Sequence, residues 1–259
     1  MLGKLLKYDF KSMFRSFVPL WAALLAVSFI NRFTIDWNAA DGIFGVLAAM
    51  LYVGLIIAVI VVTIILIVQR FYNGLLRSEG YLMFTLPVKP WQLVLSKLIA
   101  ALVVTICSIA AALLSVLFIS ADADFLPQLF RALGRAIPQL TGDATLFLVL
   151  LALVVLTGIL AAVTHIYAAL ALGHLANSHR IGWAVGAYIV IDLVFMAAMM
   201  AGVPALDAMD GWMFTLSLRH GEVYMANLTM GIVIAWFLAQ TVLCYVATER
   251  ILSKRLNLE

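Results

Sequence analysis

The sequence predicts an all-α polytopic membrane protein with six transmembrane helices and both ends in the cytoplasm. Three observations carry this. First, 66% of the 259 residues are hydrophobic and only 11% are charged, with a mean hydropathy of +1.13. A soluble domain carries roughly 25% charged residues, so this chain has too little polar surface to cover a globule in water. Second, six apolar stretches approach or exceed the ~20 residues that a helix needs to cross hydrocarbon. Third, the sixteen Lys and Arg residues divide unevenly between alternate connections, and that asymmetry sets orientation.

The apolar stretches are Phe17–Phe33, Phe44–Val68, Leu98–Ile119, Leu146–Leu172, Trp183–Gly202 and Ala226–Thr248. The first is the shortest and contains Pro19. With the N-terminus inside, twelve basic residues fall in cytoplasmic segments and four (Arg32, Arg131, Arg135 and Arg219) fall outside. We read residues 1–259 as a single membrane domain, with no internal repeat and no linker. MLGKLLKYDFKSMFRSF intersperses charge through Arg15 and offers no small-residue cleavage site, so a cleavable signal peptide is not expected. Cys107 and Cys244 lie in apolar runs and read as reduced, buried thiols.

Ahead of the first span, Leu2, Leu6, Phe10, Met13 and Phe17 fall near one helical face, while Lys4, Lys7, Lys11 and Arg15 lie mostly elsewhere. Residues 1–16 therefore read as an amphipathic helix lying in the membrane interface, its basic face towards anionic headgroups. Residues 120–145 and 203–225 are the larger external loops. In the first, Phe125, Leu129, Leu133 and Ile137 recur every four residues, the pattern of a short helix on the outer leaflet that ends near Pro138. In the second, the apolar run 211–218 is too short to span.

Residues 69–97 form the most informative connection. This segment is cytoplasmic by the charge distribution and mixes charge with amphipathic spacing. Leu75, Tyr81, Leu82, Leu86 and Val88 need a protein surface or the interface to cover them. Pro87 and Pro90 end any helix there and force a turn before the third span. The pattern Glu79-Gly80-Tyr81, then Thr85-Leu86-Pro87-Val88, then Ser96-Lys97, placed between spans two and three of six, resembles the ABC-2-type ABC transporter permeases. Members of that family often carry Gly-Thr where this chain has Gly80-Tyr81. The resemblance extends to the N-terminal amphipathic segment and the external loop before span six.

The resemblance implies a cytoplasmic coupling helix that sits in a groove on a separate ATP-binding subunit. It also implies a second permease subunit and a bacterial plasma (inner) membrane location. On that footing Leu82, Met83 and Leu86 supply apolar knobs, and Arg77 and Glu79 pair with charges at the partner's rim. Gly80, Tyr81 and Pro87 complete the contact segment. The chain has no G-x-x-x-x-G-K-[ST] phosphate loop, so ATP and magnesium belong to the partner and this chain is not expected to be an enzyme. An apolar route between two such subunits suits hydrophobic or amphipathic cargo. No nucleic-acid partner is expected.

Ionisable groups inside spans are costly and rarely idle. Asp192 in span five and His165 in span four come out at similar depths, which predicts a hydrogen bond or ion pair between adjacent helices. If Asp192 instead binds an ion, the chain is an ion-coupled secondary transporter, although inverted repeats and broken helices are lacking. An intramembrane enzyme is a weaker reading, because no further catalytic group joins the pair. His174 and His179 lack the spacing and companions of a zinc site, so no metal is expected. Gly54, Gly158 and Gly186 read as points of close helix packing. Met196, Met199 and Met200 read first as ordinary packing and second as an adaptable apolar path.

Overall fold

The computed structural model describes residues 2–34, 43–76, 90–120, 127–128, 131–132, 134–135, 142–176, 179–208 and 221–254. Six long helices account for nearly all of them: α1 (Leu2–Thr34), α2 (Ile43–Phe71), α3 (Pro90–Ser120), α4 (Gly142–Gly173), α5 (Arg180–Ala208) and α6 (Glu222–Lys254). Each contains a stretch long and apolar enough to cross a membrane. Large apolar side chains such as Met50, Ile57, Leu113, Val190 and Leu243 are exposed along these stretches, as expected where lipid is the solvent. The chain is thus a polytopic membrane protein. α2 ends in a single π-helical turn, Tyr72–Leu76.

Several boundaries differ from those the apolar runs suggest. α1 passes without a break from the segment expected to lie in the interface into the first span, and Pro19 sits inside it. Nothing between Lys4 and Val18 breaks a helix, so backbone hydrogen bonding carries through the change from polar to apolar. At 1.5 Å per residue α1 is about 50 Å long, well beyond the ~30 Å of hydrocarbon. α5 starts at Arg180 and runs past Gly202 through Pro204 to Ala208, so the connection expected from residue 203 starts later. The helix expected on the outer leaflet falls largely outside the described residues. Among those described, Arg131 Nε donates to the Pro127 carbonyl at 3.2 Å, an i to i−4 bond.

The fold divides into two compact units. The first comprises residues 1–70 and 95–137, hence α1, most of α2 and most of α3. Its core is Leu24, Val59 and Ala111, with Leu20, Trp21, Tyr52 and Ile56 packed around them. Polar bonds stitch this core together. The indole of Trp21 donates to Ser108 Oγ at 3.0 Å, and Thr63 donates to the same oxygen at 3.3 Å. Tyr52 and Ser115 share a hydroxyl bond of 2.8 Å. Hydrocarbon offers these groups no water, so each is met across a helix interface.

The second unit comprises residues 71–94 and 138–259. Here α4 is central and packs most extensively on α6, then on α5. Gly173, at the end of α4, makes the tightest approach: a Cβ placed there would lie 2.5 Å from Ala184 N and Cα on α5. Gly158 faces Phe237 at ordinary contact distance, whereas Gly54 and Gly186 adjoin open space. The close-packing glycine is therefore one that hydropathy does not single out, because it lies at a helix end. Phe71 and Tyr167, both buried, stack with centroids 4.0 Å apart. Tyr245 donates to the Trp91 carbonyl at 2.8 Å.

Candidate functional site

The segment 69–97 is the first candidate. The residues expected to contact a partner, Arg77, Glu79, Gly80, Tyr81, Leu82, Met83, Leu86 and Pro87, lie outside the described residues. The flanks are described. On the near side Leu75, which the sequence requires to be covered, is buried in the π turn beside Gly74 and Leu76. On the far side Pro90 opens α3, a position where its missing N–H costs nothing.

Within the first unit the N-terminal part of α1 grips residues at both ends of this segment. Asp9 accepts a bond from Ser96 at 3.1 Å and forms an ion pair with Lys97. Arg70 donates to Ser12. The reason lies in α1's own periodicity. Asp9, Met13, Phe17, Leu24, Ser28 and Asn31 are its buried positions, spaced by three, four or seven residues along one inward stripe. Asp9 thus shares the face of Met13 and Phe17 and must find a cation there. From the sequence, Lys97 reads as a topology-setting charge and as the end of the Ser96-Lys97 pattern in the family resemblance, while Asp9 has no role. The missed signal is a lone acid at i−4 and i−8 from two apolar anchors in an otherwise basic segment.

The second candidate is intramembrane. His165 is 8% exposed and is held between rings from α5: Tyr188 stacks on it at 4.7 Å and Phe195 meets it edge-on at 5.8 Å. Phe195 in turn contacts Trp236 of α6 at 6.2 Å. Asp192 lies between Tyr188 and Phe195 on the same helical stripe (i+4 from one, i−3 from the other). Its carboxylate acts on His165 electrostatically. Among the described residues no hydrogen bond or ion pair joins the two, and His165 Nε2 is buried without a partner.

Helix register explains why the expected bond is not made. His165 lies eight residues before the end of α4, and Tyr188 lies eight residues after the start of α5. Asp192 stands four residues farther along α5, about 6 Å beyond that depth. Tyr188 takes the place opposite His165, and Asp192 is left exposed.

A third group of polar residues gathers where α4 meets α5. His174 follows α4, is 8% exposed, and meets Tyr72 edge-on at 6.2 Å. Burial pushes its pKa down, and the nearby Arg180 adds to that shift. His179 precedes α5 with a left-handed φ of 52°, and its carbonyl accepts the bond from Trp183 N at 3.1 Å. An open cleft of about 490 Å³ is lined by Tyr72 and residues 179–182. No cluster of three or more His, Cys, Asp or Glu side chains able to hold a metal occurs among the described residues. Cys107 and Cys244 are free thiols.

Comparison with known protein families, with curated proteins and with solved structures finds no match to this chain.

Proposed function

We propose that this chain is the membrane-spanning permease subunit of an ATP-driven exporter of the ABC-2 type. In this reading it moves an apolar or amphipathic cargo with energy from a separate ATP-binding subunit. The partners are that ATPase, a second permease subunit and the bilayer of a bacterial inner membrane.

One observation carries the reading beyond resemblance. Asp9 and Ser12 of α1 bond to Lys97, Ser96 and Arg70, residues at the two ends of segment 69–97. A segment that receives force from a partner needs roots that do not give. Charge-assisted bonds between a long helix and both roots, buried at Asp9–Lys97 and half-buried at Ser12–Arg70, provide that stiffness. A loop that merely joins two spans has no need of them.

The test is a mild-detergent pull-down of the tagged chain from its native host, with and without Leu82→Glu plus Leu86→Glu. An ATPase that copurifies with the parent and is lost from the correctly folded double variant supports the reading. If no ATPase copurifies with the parent chain, the permease assignment falls.

A further inference from the structure

The start of α5 borders a space that none of the roles above uses. Tyr72, His179, Arg180, Ile181 and Gly182 line an open cleft of about 490 Å³, and all five belong to the second unit. The first bond inside α5 runs from Trp183 N to the His179 carbonyl. The N–H groups of Arg180, Ile181 and Gly182 therefore have no partner within the helix. Three of the lining residues thus bring donors at the positive end of a helix. The Arg180 guanidinium adds a formal charge. No carboxylate lines the cleft, and none pairs with Arg180 among the described residues.

The neighbouring end of α4 supplies an unmet polar atom. The close approach of Gly173 to Ala184 draws that end onto the first turns of α5. The next residue, His174, is 8% exposed and meets the ring of Tyr72, a lining residue, edge-on at 6.2 Å. Its Nδ1 is buried without a hydrogen-bond partner. Tyr72 also opens the π turn, a distortion frequent at functional sites. Ile181 and Trp183 are both exposed, and Arg180 is the first residue of the apolar stretch of α5. An exposed Trp at the end of a span marks the level of the lipid headgroups.

We propose that this cleft binds a phosphate group, carried by an anionic lipid or free in solution. The N–H groups of residues 180–182 and the Arg180 guanidinium donate to its oxygens, as helix N-termini and arginines do for phosphates elsewhere. Tyr72 and His179 bring further polar side chains to the same space. Gly182 leaves room for the ligand, because a Cβ there would meet nothing within 4 Å. A cation is disfavoured by Arg180 and by the lack of any carboxylate in the lining. When the phosphate belongs to a lipid, its acyl chains lie against Ile181 and Trp183.

Thermal unfolding of the full chain in dodecyl maltoside micelles, which carry no phosphate, tests this. The probes are dioleoyl phosphatidylglycerol, neutral dioleoylglycerol, and sodium phosphate compared with sodium chloride at equal ionic strength. A saturable rise of the midpoint is expected with phosphatidylglycerol or with phosphate, and the probe that produces it identifies the source. The half-saturating concentration should increase about tenfold or more in Arg180→Gln. Gly182→Leu, whose Cβ meets no neighbour, should fold and fill the cleft, abolishing the response. Lys11→Gln, which removes an exposed charge from α1, should leave it unchanged. Should Arg180→Gln fail to fold, Gly182→Leu decides alone. No rise with either phosphate probe overturns the site. So does an equal rise with dioleoylglycerol, a response kept in either folded cleft variant, or an equal loss in Lys11→Gln. No ATPase takes part in this measurement, so its failure leaves the permease reading standing, and a failed pull-down leaves the site standing.

Discussion

Asp9 and Lys97, 88 residues apart in sequence, meet as a buried ion pair at the foot of the first unit. Ser96 adds a second bond to the same carboxylate. Removing one partner from a buried pair strands the other charge, at a cost of about 3–5 kcal/mol. Asp9→Ala is therefore expected to lower the thermal unfolding midpoint sharply, and Lys97→Met to do the same. The double variant should recover much of the loss. Strictly additive losses in the double-mutant cycle would show that the two side chains do not interact.

Ser108 joins three helices, since Trp21 of α1 and Thr63 of α2 both donate to its hydroxyl. Interhelical hydrogen bonds in membranes average about 0.6 kcal/mol. Ser108→Ala is expected to cost roughly 1 kcal/mol by the same source, measured by unfolding in mixed detergent. Trp21→Phe should remove about half of that. A Ser108→Ala variant as stable as the parent refutes this bonding.

At the α4–α5 contact, a side chain at position 173 would meet backbone atoms rather than a flexible neighbour. Gly173→Leu is thus expected to force the two helices apart, with the roughly 1–3 kcal/mol penalty of overpacking. Gly54→Leu, at a position that adjoins open space, serves as the neutral control. Equal behaviour of the two variants by thermal melting counts against the close approach.

His174 gives the chain a pH dependence outside the spans. Its pKa is depressed by burial and by Arg180, so below its ordinary value near 6.5 the unfolded chain takes up a proton more readily than the folded one. Stability contributed by neutral His174 is complete above that value and is lost as pH falls through the folded pKa. Unfolding midpoints should drop as pH falls below about 6.5. His174→Phe should flatten that part of the profile. An unchanged slope assigns the dependence to other groups.

The six spans were legible because hydropathy and length suffice to identify a helix in lipid. Their ends were not. Arg180–Gly182 and Val203–Ala208 are helical although their hydropathy does not require it, since backbone bonding continues until something stops it. That small error in register decides the intramembrane site: it sets Tyr188 rather than Asp192 opposite His165. Asp9 was overlooked for a related reason. A charged residue reads as surface until its neighbours along the helix place it inside, and its partners lie too far off in sequence for any local pattern to reveal. Gly173 sits at the margin of an apolar run, where composition gives no weight to close contact.

The long reach of the Asp9–Lys97 pair also constrains biosynthesis. When α1 leaves the ribosome its carboxylate has no cation to meet, because Ser96 and Lys97 are still untranslated. Two helices must enter the membrane, and the stretch between α2 and α3 must be made, before the base of the first unit can lock. Early insertion intermediates are thus open at this end of the first unit, and closure is a late step timed by the emergence of α3.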